Sequence, residues 1–331
     1  MVEVWRRRRL RNLIFVGIST AVLYSLAQVY NGHIKFSEQV LVSDYFVLRN
    51  FGYSESCGGC SVLHLLLHLM NPKSHPIAYL SDEGDACRTN PGYMTPIMPS
   101  WLNKSSSIAI YNEFPENLFN ARRRIYYVLF FPANGVTYPK DSYILCWSDG
   151  FCDGIDNSMK KFTLNLLQLD MELFDSIQKT SSQERNTSYI LVKKNTWMVS
   201  GNMVNLHDDV DASLGKSFPI DKNKLDRLKL LANAERLVSY DRATFISVEA
   251  AAMGCLSIVM PAPNVTRDGW LRSVGDSFKY GIAYGFDEVE YALSTMDQVN
   301  DHLKRLASTQ EGNVREFVRD ALAFFSTSVI D

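Results

Sequence analysis

The sequence lacks a charge excess of either sign: 34 Lys and Arg stand against 36 Asp and Glu, a formal net charge of −2 over 331 residues. With no basic surplus, nothing points to nucleic acid as a partner. It lacks a second stretch long and apolar enough to cross a bilayer beyond residues 13–30, and it lacks internal repeats and low-complexity segments. No Gly-x-Gly-x-x-Gly follows a strand pattern, which argues against a dinucleotide oxidoreductase. Cysteine is sparse, at six residues: Cys57, Cys60, Cys87, Cys146, Cys152 and Cys255. Spacing alone leaves their pairing open, and no second ligand pair at zinc spacing accompanies any of them. Cys57-Gly58-Gly59-Cys60 has the spacing of a redox motif, but its flanking pattern reads better as a loop opening a helix. What is present is 46% hydrophobic residues, enough for one large or two ordinary domains.

The balanced charge conceals a local asymmetry. Arg6, Arg7, Arg8, Arg9 and Arg11 precede an uncharged run at 13–30. At about 1.5 Å per residue that run just covers a hydrocarbon core of about 30 Å. The arginines would hold a short tail, residues 1–12, in the cytoplasm, followed by a span at 13–30 and a stem at 31–43. The expectation is a single-pass type II membrane protein whose domain faces the ER or Golgi lumen. A cleaved signal peptide, with Ser25-Leu26-Ala27 near its end, and a plain buried helix are the alternatives. Sequons at Asn103, Asn186 and Asn264 would be glycosylation acceptors only in a lumenal domain.

From residue 44 the chain alternates strand and helix patterns. Strands are expected near 45–48, 77–80, 107–111, 143–147, 189–192, 236–239 and 256–260. Helices are expected near 62–69, 120–131, 164–177, 222–233, 245–253, 289–293, 298–306 and 313–325. Such alternation implies parallel sheets covered by helices. The polar run at 179–187 divides the series. The predicted fold class is therefore α/β with two Rossmann-like domains, 44–183 and 184–331, after the N-terminal transmembrane helix.

Segment 238–261 is the most informative. A strand ends at Tyr240-Asp241, a turn leads to a helix N-terminus at Thr244–Ser247, and Ala250 to Ala252 allow close packing on the sheet. Gly254 ends the helix and Ile258-Val259 opens the next buried strand. Ligands of open α/β sheets bind beyond the carboxyl ends of the strands. A helix N-terminus there suits a diphosphate, and a carboxylate inside the helix can accept from ribose hydroxyls. On these residues the chain resembles the donor-binding domain of GT-B-type glycosyltransferases. Asp241, seven residues, then Glu249 followed by Ala250, Ala252, Gly254 and Val259 is similar to their E-x7-E pattern, with Asp in place of the first Glu and without the Gly-x-Pro of many members. Gly58-Gly59 before an apolar helix resembles the first βαβ unit of a GT-B acceptor domain. The segments Ile110-Tyr111-Asn112-Glu113 and Asn120-Ala121-Arg122 are similar to uncharacterised bacterial relatives.

The resemblance implies a glycosyltransferase that moves a sugar from a nucleotide-sugar donor to a glycan, lipid or protein acceptor, with no metal and no cofactor beyond the donor. It puts Asp241 at the reaction centre, with Glu113 as the base if transfer is inverting. It assigns donor contacts to Glu249, Lys193, Lys194, Gly58, Gly59 and Thr244. The competing reading is a non-catalytic relative with a degenerate donor pocket. His64 and His68 lie four apart without a third ligand and are read as packing or capping residues. Asp209-Val210-Asp211, beside His207 and Asp208, matches the short Asp-x-Asp pattern of metal-dependent transferases but follows no strand.

Overall fold

The structure is a computed structural model, and it describes residues 44–49, 52–54, 57–71, 76–82, 89–130, 136–180, 185–193, 196–199, 202–205, 207 and 210–327. The basic tail, the expected span at 13–30 and the stem lie outside these residues, as do Lys194, Asp208 and Asp209. Among the described residues no helix is long and apolar enough to cross a membrane.

The fold is α/β and rests on two parallel sheets. The first contains β1 (Phe46–Leu48), β2 (Ala78–Leu80), β3 (Ile108–Asn112), β4 (Arg123–Val128), β5 (Tyr143–Cys146) and β6 (Lys160–Thr163), in the order β2-β1-β3-β4-β5-β6. Helix α1 (Gly58–Met70) follows β1, and α2 (Met171–Thr180) follows β6. The second sheet contains β7 (Thr187–Leu191), β10 (Lys216–Ser217), β11 (Ala234–Ser239), β12 (Leu256–Val259) and β13 (Ile282–Tyr284), ordered β10-β7-β11-β12-β13. A separate antiparallel hairpin, β8 (Thr196–Val199) with β9 (Asn202–Asn205), lies between β7 and β10 in sequence. The remaining helices are α3 (Lys224–Ala232), α4 (Phe245–Ala252), α5 (Arg267–Val274), α6 (Val289–Ser294) and α7 (Val299–Thr327). Both sheets fall within one compact unit, Phe46–Asp331.

The inner strands β3 and β4 are buried over most of their length because their sheet is covered on both faces. Ile108, Ala109, Ile110 and Tyr111 of β3, and Ile125 to Val128 of β4, are all at most 1% exposed. In each sheet the first strand lies between the second and third, so the chain reverses direction between β1 and β3 and between β7 and β11. Crevices at the carboxyl ends of strands form at such reversals.

Several expectations need correction. The helix expected at 120–131 is absent from residues 120–130: 123–128 is β4, where two tyrosines and the β-branched Ile125 and Val128 fill both faces of the sheet. The helix expected from 164 begins only at Met171. Leu164 and Leu166 instead turn their carbonyls to Tyr127 Oη and Trp147 Nε1. The two expected C-terminal helices are one 29-residue helix, α7. Gly312 interrupts the polar surface but not the buried stripe of Leu303, Gln310, Val314, Phe317 and Ala321, and burial of that stripe outweighs the ~1 kcal/mol cost of one helical glycine. Strands β6, β8, β9, β10 and β13 have no counterpart among the expected strands: β6 is largely polar or exposed, and β10 and β13 are only two and three residues long.

Helix α7 links the two sheets. Its first residue, Val299, packs against Gly281 beside β13, and Asn300 Nδ2 donates to the Ala252 carbonyl at 3.3 Å. At its other end Asp320 accepts from Tyr143 Oη at 2.6 Å and pairs with Lys160 Nζ at 2.8 Å, both on first-sheet strands. Between them Gln310 Oε1 accepts from the Leu167 N–H at 2.6 Å.

Candidate functional site

A cavity of about 160 Å³ opens where the carboxyl ends of the two sheets meet. That is roughly tenfold the space one water needs, so it is a ligand-sized void. Second-sheet residues enter from the strand reversal. Lys193 follows β7, and Asp241, Ala243 and Thr244 follow the adjacent β11. First-sheet residues enter after β1 (Gly58, Gly59), β4 (Leu129, Phe130), β5 (Trp147, Phe151) and β6 (Gln168).

Of the residues expected at a site, Asp241, Glu249, Lys193, Gly58, Gly59 and Thr244 are brought together in this cavity. Glu113 is not among its lining residues. It stands half-buried at the end of β3, where its carbonyl accepts from Tyr138 Oη at 2.7 Å. Lys194 is outside the described residues.

Local chemistry explains the placement. Ser239 Oγ donates to the Asp241 carbonyl at 2.8 Å, and Asp241 Oδ1 accepts from the Ala243 N–H at 3.1 Å. The turn is thereby fixed and the chain is delivered to Thr244, which caps α4. Gly254, at φ +72°, ends that helix in the left-handed region, and any Cβ there would also press on Arg185. Arg242 is buried beside Asp241, and burial lowers its guanidinium pKa against the opposing effects of Tyr284 and Asp241.

Glu249 is not isolated. Its carboxylate receives two bonds from Arg227 on α3, Nε to Oε2 at 2.8 Å and Nη2 to Oε1 at 2.9 Å, and both side chains are nearly inaccessible. Arg227 also lines the cavity, as does Lys224 one turn earlier. Neither was singled out from sequence. The available signal was an arginine in phase with Leu228 and Leu231 on the buried face of α3, where a lone charge is costly without a partner.

Gly58 and Gly59 occupy the first turn of α1, not a loop. Neither has a positive φ. A Cβ on Gly58 would meet nothing within 4 Å, and one on Gly59 would make only an ordinary contact with Leu129 at 3.6 Å. The fold does not require glycine at either position, so their smallness matters only to what enters the cavity. Cys57, the cap of this helix, is disulfide-bonded to Cys60, and Cys146 to Cys152. Each bridge brackets cavity residues: Gly58 and Gly59 in one, Trp147 and Phe151 in the other.

The other clusters have local roles. His64 packs edge-on against Tyr53 at 5.6 Å, and burial lowers its pKa. His68 accepts from the Met94 N–H at 2.9 Å and stacks on Tyr93. Asp211 caps the turn Ala212–Leu214, and hydrogen bonds from the Ser213 hydroxyl and N–H hold its carboxyl below the usual range. Among the described residues no three His, Cys, Asp or Glu lie close enough to hold a metal ion. Cys255 is buried, and burial pushes its thiol up to about 12. It is expected to resist alkylation in the folded chain at pH 8, where little thiolate forms, and to react after denaturation; mass spectrometry of labelled peptides checks this.

Two parallel sheets whose carboxyl ends share one charged cavity define an α/β protein, and the cavity lies at the strand reversal of the second sheet. No protein-family model matches the chain, and no curated protein sequence matches it either.

Proposed function

We propose that the chain is a metal-independent glycosyltransferase of the GT-B type, with 44–183 as acceptor domain and 184–331 as donor domain. The observation that carries the reading is the convergence of Asp241, Glu249, Lys193 and Thr244 with Gly58 and Gly59 on one cavity. In this reading the diphosphate lies at the α4 N-terminus, with Lys193 and Lys224 offsetting its charge as it leaves. Glu249, oriented by Arg227, accepts from the ribose hydroxyls. The retaining route requires no general base from Glu113, and its position outside the cavity fits that route.

We further read the domain as lumenal behind an N-terminal anchor. Two disulfides fit an oxidising compartment, and Asn103, Asn186 and Asn264 are all exposed. The non-catalytic alternative draws on the Arg227–Glu249 pair, which partly neutralises the acid this proposal relies on.

Calorimetric titration with nucleoside diphosphates and their sugar conjugates tests the proposal. At least one is expected to bind with a Kd in the micromolar to millimolar range. Gly58→Val should leave the melting temperature within a few degrees, since a side chain there meets open space, yet weaken that binding by about tenfold by filling the cavity mouth. Failure of every nucleotide to bind would sink the proposal. Binding without transfer or hydrolysis would favour the non-catalytic reading.

A further inference from the structure

The cavity is divided by chemistry. Its charged side chains, Lys193, Lys224, Arg227, Asp241 and Glu249, all come from the second-sheet half. The opposite wall comes from the first-sheet half and consists largely of Val62, Leu129, Phe130, Trp147, Phe151 and Leu166. Trp147 and Phe151 stack with centroids 5.4 Å apart, and Phe130 meets Phe151 edge-on at 6.3 Å. Half-buried Val62, Leu129 and Phe130 form the accessible part of this apolar wall, backed by the nearly buried Trp147 and Phe151 on a loop closed by Cys146 and Cys152.

The polar groups of this wall are directed into the protein. Trp147 Nε1 donates to the Leu166 carbonyl at 3.1 Å, and Ser61 Oγ donates to the Ser54 carbonyl at 3.3 Å. Gln168 Nε2 donates to Tyr53 Oη at 3.2 Å, and the main-chain carbonyl of Gln168 accepts from Lys224 Nζ at 3.2 Å. A sugar ring laid here would lose hydration from several hydroxyls and regain few hydrogen bonds, a penalty paid for each unsatisfied group. A hydrocarbon or aromatic body would lose nothing and would bury apolar surface.

We infer that the acceptor is an apolar alcohol: its body lies on the Trp147–Phe151 wall and its hydroxyl points to the charged half. The inference rests on the sugar-transfer reading. The acceptor oxygen forms its bond to the anomeric carbon, and the bond from that carbon to the diphosphate oxygen breaks. The diphosphate leaves with the electron pair and takes up the hydroxyl proton.

The experiment uses the full chain and separates the two claims. Nucleoside diphosphates report on the charged half. 2-Naphthol, octyl β-glucoside and maltotriose report on the wall, the first two distinguishing an aromatic from an aliphatic body. At least one of those two should bind about tenfold more tightly than maltotriose, and equally well with nucleotide present. Leu129→Gln, at a half-buried position, should weaken that binding about tenfold and leave nucleotide affinity within about twofold. Val62→Gln provides a second variant, with thermal melting as the control for folding. Tighter binding of maltotriose, competition between the apolar probe and nucleotide, or unchanged probe affinity in both variants would overturn the inference. Loss of nucleotide binding alone, with the apolar probe still bound, would instead remove the sugar-transfer reading and leave an apolar site.

Discussion

Glu249→Ala is expected to destabilise the chain by about 3–5 kcal/mol, because it leaves Arg227 charged, buried and without its bidentate partner. Against a total stability of about 5–15 kcal/mol, this single change approaches the limit for folding. It also removes the acid assigned to the ribose, so lost binding in this variant would not distinguish a missing contact from a missing fold. Arg227→Met combined with Glu249→Leu resolves the ambiguity. Replacing a whole buried pair by apolar residues of similar volume is often neutral or stabilising. The double variant should therefore unfold at a denaturant concentration close to that of the natural chain and yet bind nucleotide at least about tenfold more weakly. A double variant that is stable and binds normally would remove the pair from the site. One that fails to fold while Arg227→Met alone folds well would show that the pair has been misread.

Replacing Cys146 and Cys152 by serine together should cost roughly 2 kcal/mol through the entropy of the opened loop and also weaken ligand binding. The loop they close carries Trp147 and Phe151 into the cavity and seats against α5. Ser148 Oγ donates to the Ser273 carbonyl at 2.5 Å, and Gly150 lies so close to Ser273 that a Cβ would fall 2.4 Å from its Cα. Freed of the bridge, the loop loses both its wall and its seam with the other half. Comparing thermal melts and ligand titrations of the serine pair with those of the natural chain tests this. A lower melting temperature with unchanged affinity would show that the bridge stabilises the fold without shaping the site.

The sheets and half of the cavity could be read from sequence because their signals are local. β3, β5 and β12 are short, mainly apolar runs, β7 and β11 carry apolar pairs at Ile190-Leu191 and Leu237-Val238, and 238–261 is a contiguous strand-turn-helix-strand. The remainder depends on contacts distant in sequence. Arg227 acquires its meaning only from Glu249, 22 residues later. Trp147 and Phe151 enter the site because two sheets face each other, which no periodicity reports. β4 reads as a helix because Ile125 to Val128 are buried on both faces and show no alternation. Lys160–Thr163 is an edge strand with exposed polar residues, and its pairing to β5 is set by the neighbouring strand. Glu113 takes its role only from the resemblance, and an acid at a strand end does not tell which crevice it reaches.

The attachments of α7 limit how the two halves can move. A sliding displacement would break the contacts of Val299 and Asn300 at one end and the Asp320 bonds at the other. A rotation of one half about the helix would break the same directional bonds, and that of Gln310 to Leu167 as well, so the helix acts as a splint across both sheets. Shortening the chain before Asp320 would remove the anchorage to Tyr143 and Lys160 while leaving Gln310 on Leu167 and Phe317 against Tyr143 and Phe162.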